Sequence, residues 1–356
     1  MLMTKLRIGL LAPVAHRTPP DKYGPWELVV ANLAQGLVEL GHDVVVFATA
    51  DSRPAGRLVA VVPGPLSERP DLPPRPYELI HIGHALAAAD ALGLDLLHNH
   101  HNYLPLPFAG LIRTPVLTTL HGAALLEPDA RAAYRRFRHL PYVSISDAER
   151  AGAPELNYVA TVYNGIRLDA FTPVETPGED LVFLGRVGRV KGADLAIEVA
   201  RRSGRRLILA GPVPEGEREF FETRIRPAID GRTVEYVGEV GPKERDVLLG
   251  RAYALLHLVR APEPFGLVLA EAQATGTPVV GFRRGAVPEV VEDGVTGFVV
   301  DTVDEAVRAL ERIPVLDRRL IRRRAEARFS YRAMAEGYVA AYRTVLDRQS
   351  REAAGR

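Results

Sequence analysis

The sequence contains no cysteine. That single absence excludes disulfides, thiolate nucleophiles and cysteine-ligated zinc or iron–sulfur sites together. Lysine is nearly absent too: of 45 basic residues only Lys5, Lys22, Lys191 and Lys243 are lysines. Heavy arginine usage with three methionines and three glutamines fits a high-GC genome or a thermophile-like composition. Apolar runs stay well short of the roughly 18–20 residues that span a bilayer. The apolar stretch of MLMTKLRIGLLAPVAH reads as a first strand rather than a signal peptide, so a cytoplasmic protein is expected. A net charge of +1 offers no bulk field for nucleic acid, which is excluded as a partner. No G-x-G-x-x-G follows a strand, which counts against a dinucleotide-dependent dehydrogenase, and no G-x-x-x-x-G-K-[ST] phosphate loop is present.

What is there is a 356-residue chain, 47% hydrophobic, with 28 prolines and 31 glycines spread evenly. That length fits two domains. Short β-branched runs alternate with amphipathic stretches, the signature of βα units on parallel sheets. The runs predict strands at Leu6–Val14, Asp43–Thr49, Leu58–Pro63, Leu94–His98, Pro115–Leu120, Tyr142–Ile145 and Val159–Tyr163 in the first half. In the second half they predict strands at Leu181–Leu184, Arg206–Ala210, Val234–Val237, Ala254–Leu258, Pro278–Phe282 and Phe298–Val300. Helices are expected at Trp26–Leu40, Tyr77–Leu92, Ala193–Ser203, Lys243–Gly250, Gly266–Thr275 and Ser330–Leu346, and Ser146-Asp147-Ala148-Glu149 has capping-box spacing. The polar, proline-bearing segment Arg167–Asp180 reads as the linker between the domains. Two doubly wound, Rossmann-like α/β domains follow, 1–166 and 167–330, with the last helix (about 331–356) expected to return to the first. Ligands of such sheets sit outside the carboxyl ends of the strands.

The residues after the second-half strands are therefore the first place to look. Gly185-Arg186-Val187-Gly188-Arg189-Val190-Lys191-Gly192 is a glycine-bearing turn with two cations five residues apart. Glycine permits the turn, and Arg and Lys neutralise phosphate oxygens. An ordinary charged surface loop is the competing reading, but lysine at 191 in a chain that otherwise uses arginine favours a compact phosphate-facing charge. Gly238-Glu239-Val240-Gly241 is a polar turn whose backbone suits a base edge. Prolines flank Glu263, which must then project from a loop, while Glu271 falls within the next helix, whose amides near Gly266 and Leu267 form an anion site. The competing reading of Glu271 is a solvated carboxylate on a capped helix.

The stretch EPFGLVLAEAQATGTPVVGFRRGAVPEVVEDGVTGFVV resembles the donor-site signature of glycosyltransferase family 4, retaining enzymes of the GT-B fold. GRVGRVKG is similar to that family's diphosphate clamp, and LRIGLLAPVA, YGPWE, TTLHG, VSISDAER and VYNGI follow in family order. Where many relatives carry two glycines after the tyrosine, Pro25 follows Gly24 here and brings no N–H. The resemblance implies two Rossmann-like domains facing a cleft. It implies diphosphate binding by Arg186 and Lys191, sugar-hydroxyl binding by Glu263 with the backbone at Phe265, Gly266 and Leu267, and ribose binding by Glu271. Gly24, Gly185, Gly238, Glu239 and Val240 complete the expected donor site. His121 is expected at the anomeric centre, and Tyr23, Trp26, His98, His100 and Asn164 are the acceptor-side candidates.

The implied reaction is retaining hexosyl transfer from a nucleotide-diphosphate sugar, UDP-glucose or GDP-mannose, to an unidentified acceptor. It proceeds by front-face attack with no side-chain nucleophile. No Asp-x-Asp pair is present, in agreement with transfer that needs no metal or other cofactor. A nucleotide-sugar epimerase of the same fold and a non-catalytic sugar-binding protein are the alternatives.

Three other signals are weighed. His98-Asn99-His100-His101 suggests acceptor lining ahead of structural histidines, with a metal site third. The arginine-rich runs Arg131–Arg138 and Arg318–Arg328 read as solvated helix faces, with peripheral membrane contact as the minority reading. Trp26 reads first as core.

Overall fold

The computed structural model describes residues 5–122 and 128–354. These form two compact units. One comprises the described residues up to Gly165 together with those from Tyr331 on, and the other is Ile166–Ser330.

The first unit is built on seven parallel strands: β1 (Arg7–Leu11), β2 (Asp43–Thr49), β3 (Arg57–Val62), β4 (Leu96–Asn99), β5 (Val116–Thr119), β6 (Pro141–Ser144) and β7 (Asn157–Thr161). Their order is β3-β2-β1-β4-β5-β6-β7, so the winding reverses between β1 and β4. Leu10, Leu11, Val46, Phe47, Leu97 and Leu117 are buried, which is why these strands read as continuous apolar runs. Pro25 opens the Pro25–Glu39 helix as its first residue, where a missing N–H costs nothing and the fixed φ favours the helix. The Tyr331–Ala354 helix packs on it so closely that a Cβ at Gly36 would lie 2.6 Å from the Ala335 Cβ.

The second unit holds β8 (Leu181–Leu184), β9 (Leu207–Ala210), β10 (Val234–Gly238), β11 (Ala254–His257), β12 (Val279–Phe282) and β13 (Gly297–Val300), all parallel in the order β10-β9-β8-β11-β12-β13. Here the reversal falls between β8 and β11, and the loops leaving those two strands border the place where doubly wound sheets bind ligands.

Two expectations change. Arg167–Asp180 is not a free linker. It belongs to the second unit and is tied there by arginines of the Arg318–Phe329 helix: Arg318 Nε donates to the Val174 carbonyl at 2.6 Å, and Arg322 to the Phe171 and Leu168 carbonyls at 3.0 and 3.2 Å. The same bonds show that this arginine-rich run is not simply a solvated face, because Arg318 is buried and also donates to Ala252 and Thr277. Among the described residues no helix is long and apolar enough to cross a membrane.

Candidate functional site

In the second unit, the loop after β8 and the loop after β11 are laced together. The Arg260 N–H donates to the Val190 carbonyl at 2.9 Å, and the Arg260 guanidinium bridges to Asp194 at 2.7 and 2.8 Å. Gly192, at φ +73°, caps the Ala193–Ser203 helix, and a Cβ there would sit 2.1 Å from the Leu258 carbonyl oxygen; only glycine fits. This close approach carries Lys191 to the far loop, where its Nζ meets Glu263 Oε2 at 2.6 Å.

Glu263 is held through its backbone as well. It pairs with Gly285 in an isolated bridge, its carbonyl accepts the Ala286 N–H at 2.7 Å, and Gly285 has φ +57° with no room for a side chain. The residue is 7% exposed, and its carboxylate accepts a second bond from His257 Nε2 at 3.0 Å. Burial pushes the Glu263 carboxyl up, but the Lys191 charge and the His257 bond outweigh burial and hold it well below the usual carboxylate range. A charged, oriented carboxylate results.

Glu271 lies inside the Leu267–Ala274 helix and is buried rather than solvated. Arg245 Nη1, from the Pro242–Arg251 helix, donates to its Oε1 at 2.9 Å. Burial raises the Glu271 carboxyl and Arg245 opposes the rise. Arg245 Nε is itself buried with no hydrogen-bond partner. No side chain caps the Leu267–Ala274 helix, whose N-cap Gly266 has φ +81° and abuts Glu263, so the first-turn amides stand beside the carboxylate. Phe265 is buried edge-on against Phe329, and Leu267 is half-buried. Gly185, Gly211 and Gly238 end three adjacent strands: the Gly211 N–H donates to the Gly238 carbonyl at 2.7 Å, and the space beside Gly185 and Gly238 is open. Glu239 is exposed and Val240 half-buried after that floor. Arg186 is exposed and forms no hydrogen bond or ion pair among the described residues. The structure thus joins Lys191, Glu263 and Gly266 directly, and sets Glu271 on a separate pair with Arg245.

In the first unit, His121 follows β5 at φ +50°, one of two non-glycine residues with positive φ among the described residues. An L-residue held there costs on the order of 1–2 kcal/mol. Three contacts hold it. Its ring stacks on Trp26 at 5.6 Å and 21°, its Nε2 meets His100 Nδ1 at 2.8 Å, and the next N–H, from Gly122, donates to Glu149. Glu149 is the glutamate of the sequence's capping box. Ser146 does cap its helix, accepting the Glu149 N–H at 3.1 Å, but the Glu149 carboxylate turns to Ile145 and Gly122 instead. Burial raises that carboxyl to about 7 against those two N–H bonds, and burial lowers His121 to about 3, leaving a neutral imidazole.

His98 and His100 do not face an acceptor. Both are fully buried: His98 on β4 and His100 just past its end lie under Tyr338 and Tyr342 of the Tyr331–Ala354 helix. His98 Nδ1 meets the Tyr342 hydroxyl and His98 Nε2 meets Thr119 Oγ1, both at 2.8 Å, and His100 Nε2 lies 3.2 Å from His98 Nδ1. The histidines are structural. Among the described residues no three His, Asp or Glu side chains form a metal-ligand group. Tyr23 is exposed at the edge of His16, Trp26 is half-buried rather than core, and buried Asn164 keeps an Oδ1 without a partner. Gly24, at φ +151° against Pro20, caps the Pro25–Glu39 helix.

His257, Arg245 and Arg260 in the second unit, and Glu149 in the first, were not singled out by sequence for these parts. His257 hides in an apolar run, and the others make contacts with residues distant in sequence.

Two parallel, doubly wound sheets in sequence, with a lysine–glutamate pair at the switch point of the second, define the GT-B class of α/β enzymes. Comparison with known proteins agrees. The model of Glycosyltransferase Family 4 matches residues 27–170, and that of Glycosyl transferases group 1 matches residues 168–328. The D-inositol 3-phosphate glycosyltransferase of Mycolicibacterium smegmatis is 27% identical over 415 aligned positions, covering 98% of this chain and 94% of that protein. The crystal structure of AviGT4, a glycosyltransferase involved in avilamycin A biosynthesis, superposes with TM-score 0.72 at 29% identity, covering 96% of this chain and 98% of that one. Anabaena HepE, in complex with UDP and glucose, shares the fold with TM-score 0.72 at 18% identity, covering 95% of this chain and all of that one. The two halves of the chain thus match the two halves of a family 4-like glycosyltransferase, and the protein is a glycosyltransferase enzyme.

Proposed function

We propose that the protein is a retaining hexosyltransferase that uses a nucleotide-diphosphate sugar, with UDP-glucose the first donor and GDP-mannose the second. The observation that carries this reading is the Lys191–Glu263 pair at the switch point, with the uncapped amides of the Leu267–Ala274 helix beside it. An ammonium and free amides suit a diphosphate. A buried carboxylate kept charged suits sugar hydroxyls, and Glu271 on the following helix suits the ribose.

In this reading Arg186 and Lys191 meet the charge that develops on the departing diphosphate, so electrostatic stabilisation supplies the main term and no metal is called on. The leaving phosphate oxygen takes the acceptor proton in a front-face attack. UDP-glucose is preferred because it is a common donor in the family and because HepE was crystallised with UDP and glucose. D-inositol 3-phosphate, named in the M. smegmatis relative, is the first acceptor to try.

The test is incubation with UDP-glucose or GDP-mannose, alone and with candidate acceptors, followed by mass spectrometry and NMR of the anomeric configuration. Transfer with retention in the presence of acceptor, and slow hydrolysis at most without it, is expected. A donor sugar isomerised in the absence of acceptor points to an epimerase, and binding with no turnover to a sugar-binding protein.

A further inference from the structure

His257 stands in a strand that is otherwise apolar. β11 reads Ala-Leu-Leu-His, lies between β8 and β12, and is buried throughout. An imidazole at that depth is costly unless it is hydrogen-bonded. Its Nε2 is bonded, to Glu263 Oε2 at 3.0 Å. Because the carboxylate is held charged it only accepts, so Nε2 carries the proton and the tautomer of His257 is set. Lys191 Nζ reaches the same oxygen, Oε2, at 2.6 Å.

Two donors therefore converge on one oxygen, and no hydrogen bond from the described residues reaches Oε1. The two donors differ in what else they can serve. An ammonium has three N–H donors and can be shared with a phosphate. The His257 N–H has one direction and one partner.

We propose that His257 is a positioning residue that dedicates Oε2 of Glu263 to the protein and leaves Oε1 as the oxygen offered to the sugar. When a diphosphate draws on Lys191, His257 keeps the carboxylate from rotating. Sugar recognition by Glu263 then depends on an imidazole that touches no ligand. This rests on the reading of Glu263 as the residue that binds the sugar hydroxyls.

The experiment measures Kd for UDP and for UDP-glucose by calorimetry on the full chain, in wild type, His257→Leu and His257→Gln, with thermal unfolding recorded for each. Leucine removes the donor at similar volume, whereas the glutamine amide nitrogen can donate from the Nε2 position. His257→Leu is expected to weaken UDP-glucose about tenfold, the loss of one charge-assisted contact, while UDP changes less than about twofold. His257→Gln is expected to return UDP-glucose to within about threefold of wild type. Equal losses for UDP and UDP-glucose, an unchanged UDP-glucose Kd in His257→Leu, or a stably folded His257→Gln that fails to rescue would each overturn the proposal. Wild type that binds UDP but no nucleotide sugar would instead overturn the donor reading on which it rests, and the proposal with it.

Discussion

In the first unit His98, His100 and His121 are buried against one another and against Tyr338 and Tyr342, and among the described residues no charged group bonds to their rings. In the second, Glu263 and Glu271 are buried too, yet each meets a cation, Lys191 or Arg245. Burial disfavours charge in both places, and the two units answer it differently. The imidazoles give up their proton. Glu263 keeps its charge because the ion pair and the His257 bond exceed the cost of desolvation. A neutral cluster with a fixed ring at its end suits uncharged contacts, whereas a compensated carboxylate beside an ammonium is poised for a ligand that carries both phosphates and hydroxyls.

Acid should separate the two regions most strongly. His81, His98, His100, His101 and His121 are all lowered by burial, His81 and His121 to about 3 and His101 to about 4. Their stabilising contribution is complete above the unfolded pKa near 6.5 and is lost as pH falls toward the folded values. Each can cost up to about 1.4 kcal/mol per pH unit. Glu27 and Glu149, raised by burial, act with the opposite sign, and Glu149 offsets part of the loss between pH 7 and 4.5. Glu263, depressed, keeps its contribution above the unfolded carboxylate pKa near 4.5 and loses it as pH falls below that, outside the pH 7 to 5 window. Trp26 is the sole tryptophan and lies in the first unit, so its fluorescence reports that unit. Denaturant unfolding followed at Trp26 should show stability falling by several kcal/mol from pH 7 to 5. A flat profile would mean that the imidazoles are not buried neutral.

Next in size, Lys191→Met leaves the Glu263 carboxylate with His257 alone. A loss of about 3 kcal/mol is expected, since one partner of a buried pair is gone, and most of it should return in Lys191→Met with Glu263→Gln. Denaturant titration of the single and double variants checks this, and a single variant as stable as wild type would contradict it. Glu263→Gln alone should leave UDP binding intact and lower turnover by roughly ten- to a hundredfold, the value of one charge-assisted contact. Wild-type turnover there removes Glu263 from sugar recognition. Smallest is Trp26→Leu, which deletes the stack on His121 and should cost about 0.5–1.5 kcal/mol in thermal unfolding.

Much of this molecule was legible before any coordinates. All thirteen strands of the described residues overlap runs predicted from sequence; the inner strands are buried on both faces and write themselves as short apolar blocks, and the half-buried edge strands β3, β7 and β10 still carry β-branched runs. Flanking prolines marked Glu263 as a loop residue, and arginine bias singled out Lys191, which the structure brings to Glu263. The failures have one physical source, which is partners far away in sequence. His98 and His100 looked exposed to a ligand because Tyr338 and Tyr342, which cover them, lie more than two hundred residues later. Glu149 looked like a local cap because its bond to Gly122 spans two strands. Arg318 and Arg322 looked solvated because a polar segment lacking periodicity hid the carbonyls that bind them.

The proposed donor recognition has the second unit hold a nucleoside diphosphate by charge, through Lys191 and Arg186. Thermal unfolding across a series of uridine, UMP, UDP and UDP-glucose, repeated with the guanosine series and GDP-mannose, tests it most directly. Stabilisation is predicted to appear with the diphosphate of one base, to persist with its sugar, and to shrink in Lys191→Ala by the equivalent of about 1.5–3 kcal/mol in binding. No shift with any diphosphate, or one that Lys191→Ala leaves unchanged, would contradict it.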